Sequence, residues 1–230
     1  MAAAGQAARE YHSPRRQEQA RRTRERIIAA AGERFLASGY TAATMRGIAR
    51  AAGVAVQTVE LAFGTKRELL KAVIDVAIAG DDQPVPVLQR DWARAAQSTT
   101  GATEFLAIAG HAVRIVAERV AGLLAVVDEA ASTDPGIAAL ARQLDAQRAV
   151  TAAWIVTGIV ERAPLRTGLR REDAVDTIWL LMDPVVFRRL TRDRGWSPSQ
   201  FQDWFTDSIH RLLLPPADAG RIRGARPRSR

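Results

Sequence analysis

The sequence predicts an all-α protein, with a small N-terminal head of three short helices and a larger C-terminal helical bundle. Three observations predict it. No segment of the 230 residues shows the period-two alternation of a half-buried strand. Apolar residues recur at three- and four-residue spacing almost throughout. That spacing is punctuated by helix starters (Thr44, Thr65, Asp134, Ser197) and helix stoppers (Gly39, Gly53, Gly80).

Taken in order, residues 1–20 read as a disordered basic arm with Ser13-Pro14 as a break. A first helix is expected over 21–37, with Ile27, Ile28, Ala31 and Phe35 on one face and Arg24, Glu25 and Glu33 outside. Gly39 closes it. Thr44 can cap a second helix through Ala52, with Met45, Ile48 and Ala49 inward, and Gly53 ends that one. A third helix is expected over 55–63. Thr65-Lys66-Arg67-Glu68 fits a capping box, in which Thr and Glu reciprocally satisfy free amides. It opens a fourth helix with Leu69, Leu70, Val73 and Val76 inward, and Asp81 to Pro86 is a break. Longer helices follow over 87–98, 102–131, 135–162 and 171–193, the last kinked near Pro184. The 102–131 helix is apolar almost all round, which suits the middle of a bundle. Ser197 and Gln200 form a second capping box for a final helix to about 214. The organisation is thus an arm (1–20), a head (21–64), a helical domain (65–214) and a disordered Arg-rich tail (215–230).

Composition narrows the function. There is no cysteine, which excludes disulfides and thiolate chemistry, and three histidines make a histidine-rich metal site improbable. Residues 1–80 carry 13 Lys and Arg against 7 Asp and Glu, and residues 215–230 carry 5 against 1. The middle, 81–214, holds 15 against 17. A basic head on a slightly acidic body suggests a nucleic-acid module joined to something else. No secretory leader and no apolar run of roughly 18 residues is visible, so a soluble cytoplasmic protein with no membrane partner is expected.

Within the basic head the third helix is nearly uncharged. Its second-to-third helix corner has helix-turn-helix spacing. Ala49 is small where the third helix crosses, Gly53 allows the tight turn, and Val54 and Val59 are expected as the buried residues joining the two helices. Wider residues agree. The run from Thr23 to Phe35, then Gly39-Tyr40, Thr44, Ile48-Ala49, Ala52-Gly53-Val54, Gln57-Thr58-Val59, Phe63 and Lys66 to Leu70 resembles the DNA-binding domain of tetracycline-repressor-like (TetR-like) regulators. The resemblance covers about residues 23–72; the rest of the chain is similar only in plan.

That arrangement implies a short helix entering a major groove, with uncharged side chains reading bases and basic neighbours holding phosphates. Val59 and Phe63 face inward, leaving Val56, Gln57, Glu60 and Leu61 toward the groove. Gln57 can pair with adenine, Val56 can touch a thymine methyl, and Glu60 can accept from a cytosine amino group. The resemblance implies backbone contacts for Thr44, Thr58 and Lys66, and Arg46 can reach phosphate or a base edge. Arg15, Arg16, Arg21 and Arg22 of the arm can add phosphate or minor-groove contacts. Two positions depart from the family's pattern: Ala55, where Ser or Thr usually caps the third helix, and Glu60, where Tyr usually stands.

The resemblance also implies a C-terminal domain that binds a small-molecule effector and dimerises. Trp92, Phe105, Trp154, Trp179 and Met182 are the candidate cavity residues, with His111 to orient a ligand. The helices over 171–193 and 197–214 are expected to form the homodimer interface. The expectation is therefore a ligand-released repressor of a palindromic operator, without cofactor, metal or enzymatic activity. No phosphate-binding Gly loop, nucleophile elbow or His-Glu metal pair is present. A helical ligand- or protein-binding module that has lost specific DNA binding is the alternative.

Overall fold

The computed structural model describes residues 14–216, so the expectations for residues 1–13 and 217–230 lie outside the described residues. All regular structure among the described residues is helical. The chain divides into two compact units, Met1–Val73 and Ile74–Arg230, and the boundary falls inside the fourth helix rather than ahead of it.

The N-terminal unit contains α1 (Pro14–Ala42), α2 (Met45–Ala52), α3 (Val56–Phe63) and the first part of α4 (Lys66–Ala79). Its core is Ile27, Ala31, Phe35, Ile48, Val59, Leu69 and Leu70, all fully buried. Gly39, with φ 73° and ψ 175°, breaks the helical path of α1. Phe35 stacks on Tyr40 beyond this break, ring centroids 6.2 Å apart. Met45, Val54 and Val76 are half-buried, so Val54 is a margin of the corner rather than part of its core.

Residues 14–20 are helical, not a disordered arm. Pro14 suits a first helical turn. Glu18 pairs with Arg21 at 2.9 Å and with Arg22 at 2.7 Å, and Arg21 also pairs with Glu25, all at the three- and four-residue spacing that supports a helix. The hydrogen bonds from Arg21 and Arg22 hold the Glu18 carboxyl down at about 2.

The second unit is built on α6 (Ala102–Ala131), which packs against α5 (Asp91–Ser98), α7 (Pro135–Val160), α9 (Pro184–Arg188) and α10 (Pro198–Leu213). Thirteen buried residues run around α6, as its all-round apolar pattern requires. Asp134 caps α7 with bonds of 2.8 and 3.1 Å from the amides of Gly136 and Ile137. Ser197 and Gln200 form the expected capping box on α10. Gly158 of α7 is where the Phe105 ring of α6 seats, and a Cβ there would collide with it.

Two helix extents also differ from expectation. The helix expected over 87–98 is a 3-10 turn, Val87–Gln89, and then α5 from Asp91. Arg90 separates them in an extended conformation, its guanidinium held by Asp81 at 2.8 and 2.9 Å. The single kinked helix over 171–193 is instead α8 (Arg171–Leu181), α9 and a π-helical segment, Arg189–Asp193. Pro184 has no N–H to continue the α8 ladder. Asp183 then accepts from the Val185 amide at 2.7 Å and starts a new helix.

Candidate nucleic-acid interface

The α2–α3 corner is held from both ends. Thr44 caps α2, its Oγ1 accepting from the Gly47 amide at 3.0 Å. Gly53 has φ 64° and ψ 41°, the left-handed region that glycine adopts without strain, and ends α2. Arg26 of α1 donates to the carbonyls of Ala52 and Gly53, pinning the turn to the head. Sequence reasoning missed Arg26. It lies one residue before core Ile27, but its acceptors are 26 and 27 residues away, so no local pattern marks it.

Ala55 stands at the N-cap of α3 with no side-chain bond, as its apolar methyl dictates. Val59 and Phe63 are buried, and the Arg24 guanidinium lies 4.5 Å over the Phe63 ring. The opposite face carries Gln57, Glu60 and Leu61, spaced i, i+3, i+4 and all exposed. Leu61 is 90% exposed, its isobutyl group lying open to solvent. Val56 and Thr58 are half-buried at the edges of that face, and Arg46 and Thr44 are exposed.

Lys66 is engaged within the head. Its ammonium donates to the carbonyls of Tyr40 at 2.8 Å, Ala43 at 3.1 Å and Thr41 at 3.4 Å, and lies 4.2 Å over the Tyr40 ring. An ammonium has three hydrogens, and here they meet backbone carbonyls rather than a free surface. Arg21 and Arg22 are likewise engaged, by Glu18 and Glu25. Arg15 and Arg16 are exposed. With Gln19 and Thr23 they border a shallow groove whose other wall is Thr58 and Ala62 of α3.

In the second unit the expected cavity residues separate into groups. Trp92, Trp154 and Phe105 form one aromatic cluster, with Trp92–Trp154 centroids 5.5 Å apart and Phe105–Trp154 centroids 5.4 Å apart. Phe105 is fully buried and the two tryptophans are half-buried. Trp179 and Met182 sit on and just after α8, half-buried against the same core. The Arg148 guanidinium lies 4.5 Å over the Trp179 ring and pairs with Asp145 and Asp183 at 3.0 and 2.8 Å. His111 is exposed on α6, with its Nδ1 3.4 Å from the Arg114 guanidinium, so it faces outward rather than into the bundle core. Its apolar sequence neighbours line the inner face of α6, while its own phase puts it outside. Among the described residues no cluster of histidine and carboxylates could hold a metal ion, and no helix is long and apolar enough to cross a membrane.

Residues 27–73 match the family model described as bacterial regulatory proteins, tetR family. Within the N-terminal unit, residues 27–73 are thus similar to that family's domain. The match runs from core Ile27 of α1 through the corner pinned by Arg26 to Val73, where the unit ends. No curated protein matches the chain. Solved structures resemble it over nearly its whole described length. A putative transcriptional regulator from Saccharomonospora viridis, in complex with choline, superposes with a TM-score of 0.63 at 16% identity, covering 84% of this chain and 98% of that one. NalD, the secondary repressor of the MexAB-OprM multidrug efflux pump in Pseudomonas aeruginosa, gives 0.63 at 18% identity, covering 86% and 98%. The transcriptional regulator FadR from Bacillus subtilis, in complex with stearoyl-CoA, gives 0.62 at 20% identity, covering 80% and 96%. The segment similar to the tetR family is thus followed by a helical domain of the same fold as theirs.

Proposed function

We propose that the chain is a ligand-responsive transcriptional repressor that binds palindromic DNA as a homodimer. The observation that carries this reading is the divided surface of α3: Val59 and Phe63 lock it to the head, while Gln57, Glu60 and Leu61 project from the opposite face. A helix so anchored can enter a major groove without losing its own packing. The Thr44 oxygen accepts from Gly47, which leaves its hydroxyl hydrogen to donate to a phosphate. Arg46 on α2, with Arg15 and Arg16 beside α3, supplies charge for the flanking phosphates. Thr58, on the groove wall next to them, completes that border.

The second unit is the effector and dimerisation domain in this reading. Two of the regulators it resembles were solved in complex with choline and with stearoyl-CoA, which supports a small organic effector. Half-buried Trp92, Trp154, Trp179 and Met182 are the side chains that could repack around one. Leu180 on α8 and Leu212 on α10 are 57% and 41% exposed, which supports pairing of the α8–α9 segment and α10 with a second copy. Two copies would set their α3 helices in successive major grooves, about 34–36 Å apart. A ligand would release them only through its different affinity for the two spacings.

The test is a fluorescence titration of the full chain with palindromic duplexes selected from a random library. Salt-sensitive, sequence-selective binding with two chains per site is expected. Equal binding to selected and scrambled duplexes would reject the reading.

A further inference from the structure

Glu60 is the single charged side chain of α3. Its carboxylate is exposed, and among the described residues nothing bonds or pairs with it. The positions one turn away are Val56, Gln57, Phe63 and Gly64, none of them a cation, so its own helix does not neutralise it. It shares its face with exposed Gln57 and Leu61.

A duplex offers such an anion few places. Phosphates repel it. In the major groove guanine shows two acceptors, and thymine an acceptor beside a methyl group. Adenine shows an amino donor next to the N7 acceptor, and cytosine alone shows an amino donor with no acceptor beside it. A carboxylate on this face therefore favours cytosine largely by penalising the other three bases.

We propose that Glu60 makes recognition conditional on an unmodified cytosine amino group. It selects cytosine at one position of each half-site and rejects the same base when N4 carries a methyl group. In the base pair one N4 hydrogen bonds to guanine and the other points into the major groove. N4-methylation keeps the first and removes the second, so the donor vanishes while the pair survives. This rests on the DNA-reading role of α3 proposed above.

The experiment selects binding sites from random duplex DNA with the full-length wild type, Glu60→Ala and Glu60→Gln. The selected site is then titrated with cytosine or N4-methylcytosine at the Glu60-dependent position. Wild type should enrich cytosine there, Glu60→Ala should lose the preference, and Glu60→Gln should admit adenine. Methylation should weaken wild type roughly tenfold to a hundredfold, the range for a bond to a charged acceptor, and leave Glu60→Ala unchanged. Because Glu60 is exposed, the variants should unfold at the wild-type temperature, which separates a change in reading from a change in folding. If wild type selects a site and Glu60→Ala enriches the same cytosine, or methylation weakens both proteins alike, the inference is wrong. If wild type enriches no sequence at all, the regulator reading itself falls and takes this inference with it.

Discussion

Replacing Lys66 by Met keeps the apolar stem and removes the ammonium, so it separates two jobs that the sequence does not distinguish. The ammonium meets the Tyr40 and Ala43 carbonyls at 2.8 and 3.1 Å and the Tyr40 ring at 4.2 Å. Bonds to a charged donor contribute about 1.5–3 kcal/mol each when buried. Lys66 is only half-buried, so about 1 kcal/mol for each of the two shorter bonds is reasonable. A partly hydrated cation–π contact adds about 0.5 kcal/mol. The loss should therefore be about 2–3 kcal/mol, confined to the N-terminal unit. All 5 tryptophans lie beyond residue 73, so their emission reports the second unit alone, while far-ultraviolet circular dichroism reports both. Urea titrations of Lys66→Met should show an earlier dichroism transition with unchanged tryptophan emission. DNA affinity extrapolated to the folded protein should keep the wild-type salt dependence. A phosphate contact would instead lower the salt slope by about one ion for each copy of the chain. A stable variant with a reduced slope would refute the structural assignment of Lys66.

Three further outcomes follow from named contacts. Arg162, whose side chain is 7% exposed, donates to the carbonyls of Ala96, Gln97, Thr99 and Gly158 and lies 4.7 Å over Phe105. Arg162→Ala should cost the second unit about 3 kcal/mol, read by tryptophan emission in urea. Ala55→Ser should supply the missing cap of α3 and stabilise the N-terminal unit by about 1 kcal/mol, read as a later dichroism transition. Loss of hydration, with Asp183 and Asp145 nearby, raises the Asp128 carboxyl above its ordinary 3.8 despite Arg188 and Arg148. The fold thus favours the protonated form: its contribution is present below 3.8 and is lost as pH rises through the raised value. Asp128→Asn should be more stable than wild type at pH 7 and match it below pH 3.8, as thermal melts at the two pH values will measure.

The legible parts of the fold were those set by local chemistry. Thr44, Asp134 and Ser197 cap the helices they were expected to cap, because an N-cap bond joins residues two or three apart. The inward and outward faces of α3 were also legible, since helical phase alone puts Val59 and Phe63 opposite Leu61. What failed was long-range or competitive. Pro184 could have bent a helix or ended it, and Asp183, available to cap a new start, decided for ending it. His111 sits among apolar residues in sequence yet faces water, because its neighbours in the chain are not its neighbours on the helix surface. Arg26 and Lys66 act on carbonyls 23 to 27 residues distant, beyond any periodicity argument.

The same distinction changes how the basic head is to be understood. Thirteen Lys and Arg among residues 1–80 suggest a broad cationic surface. Several of those charges are committed within the fold: Arg21 and Arg22 to carboxylates, Arg26 and Lys66 to carbonyls, Arg24 to an aromatic ring. A guanidinium already paired gains less from a phosphate, since it must first give up its partner. In the proposed role, the charge left for DNA is therefore narrower than the composition implies: Arg15 and Arg16 lie along one wall of α3, and Arg46 and Arg50 of α2 and Arg67 of α4 are also exposed. In the proposed role, such a cationic border around a nearly neutral helix would let base contacts, rather than bulk attraction, decide where the protein binds. A lone carboxylate at Glu60 is tolerable in that setting, and it would not be on a helix that depended on phosphates for its own hold.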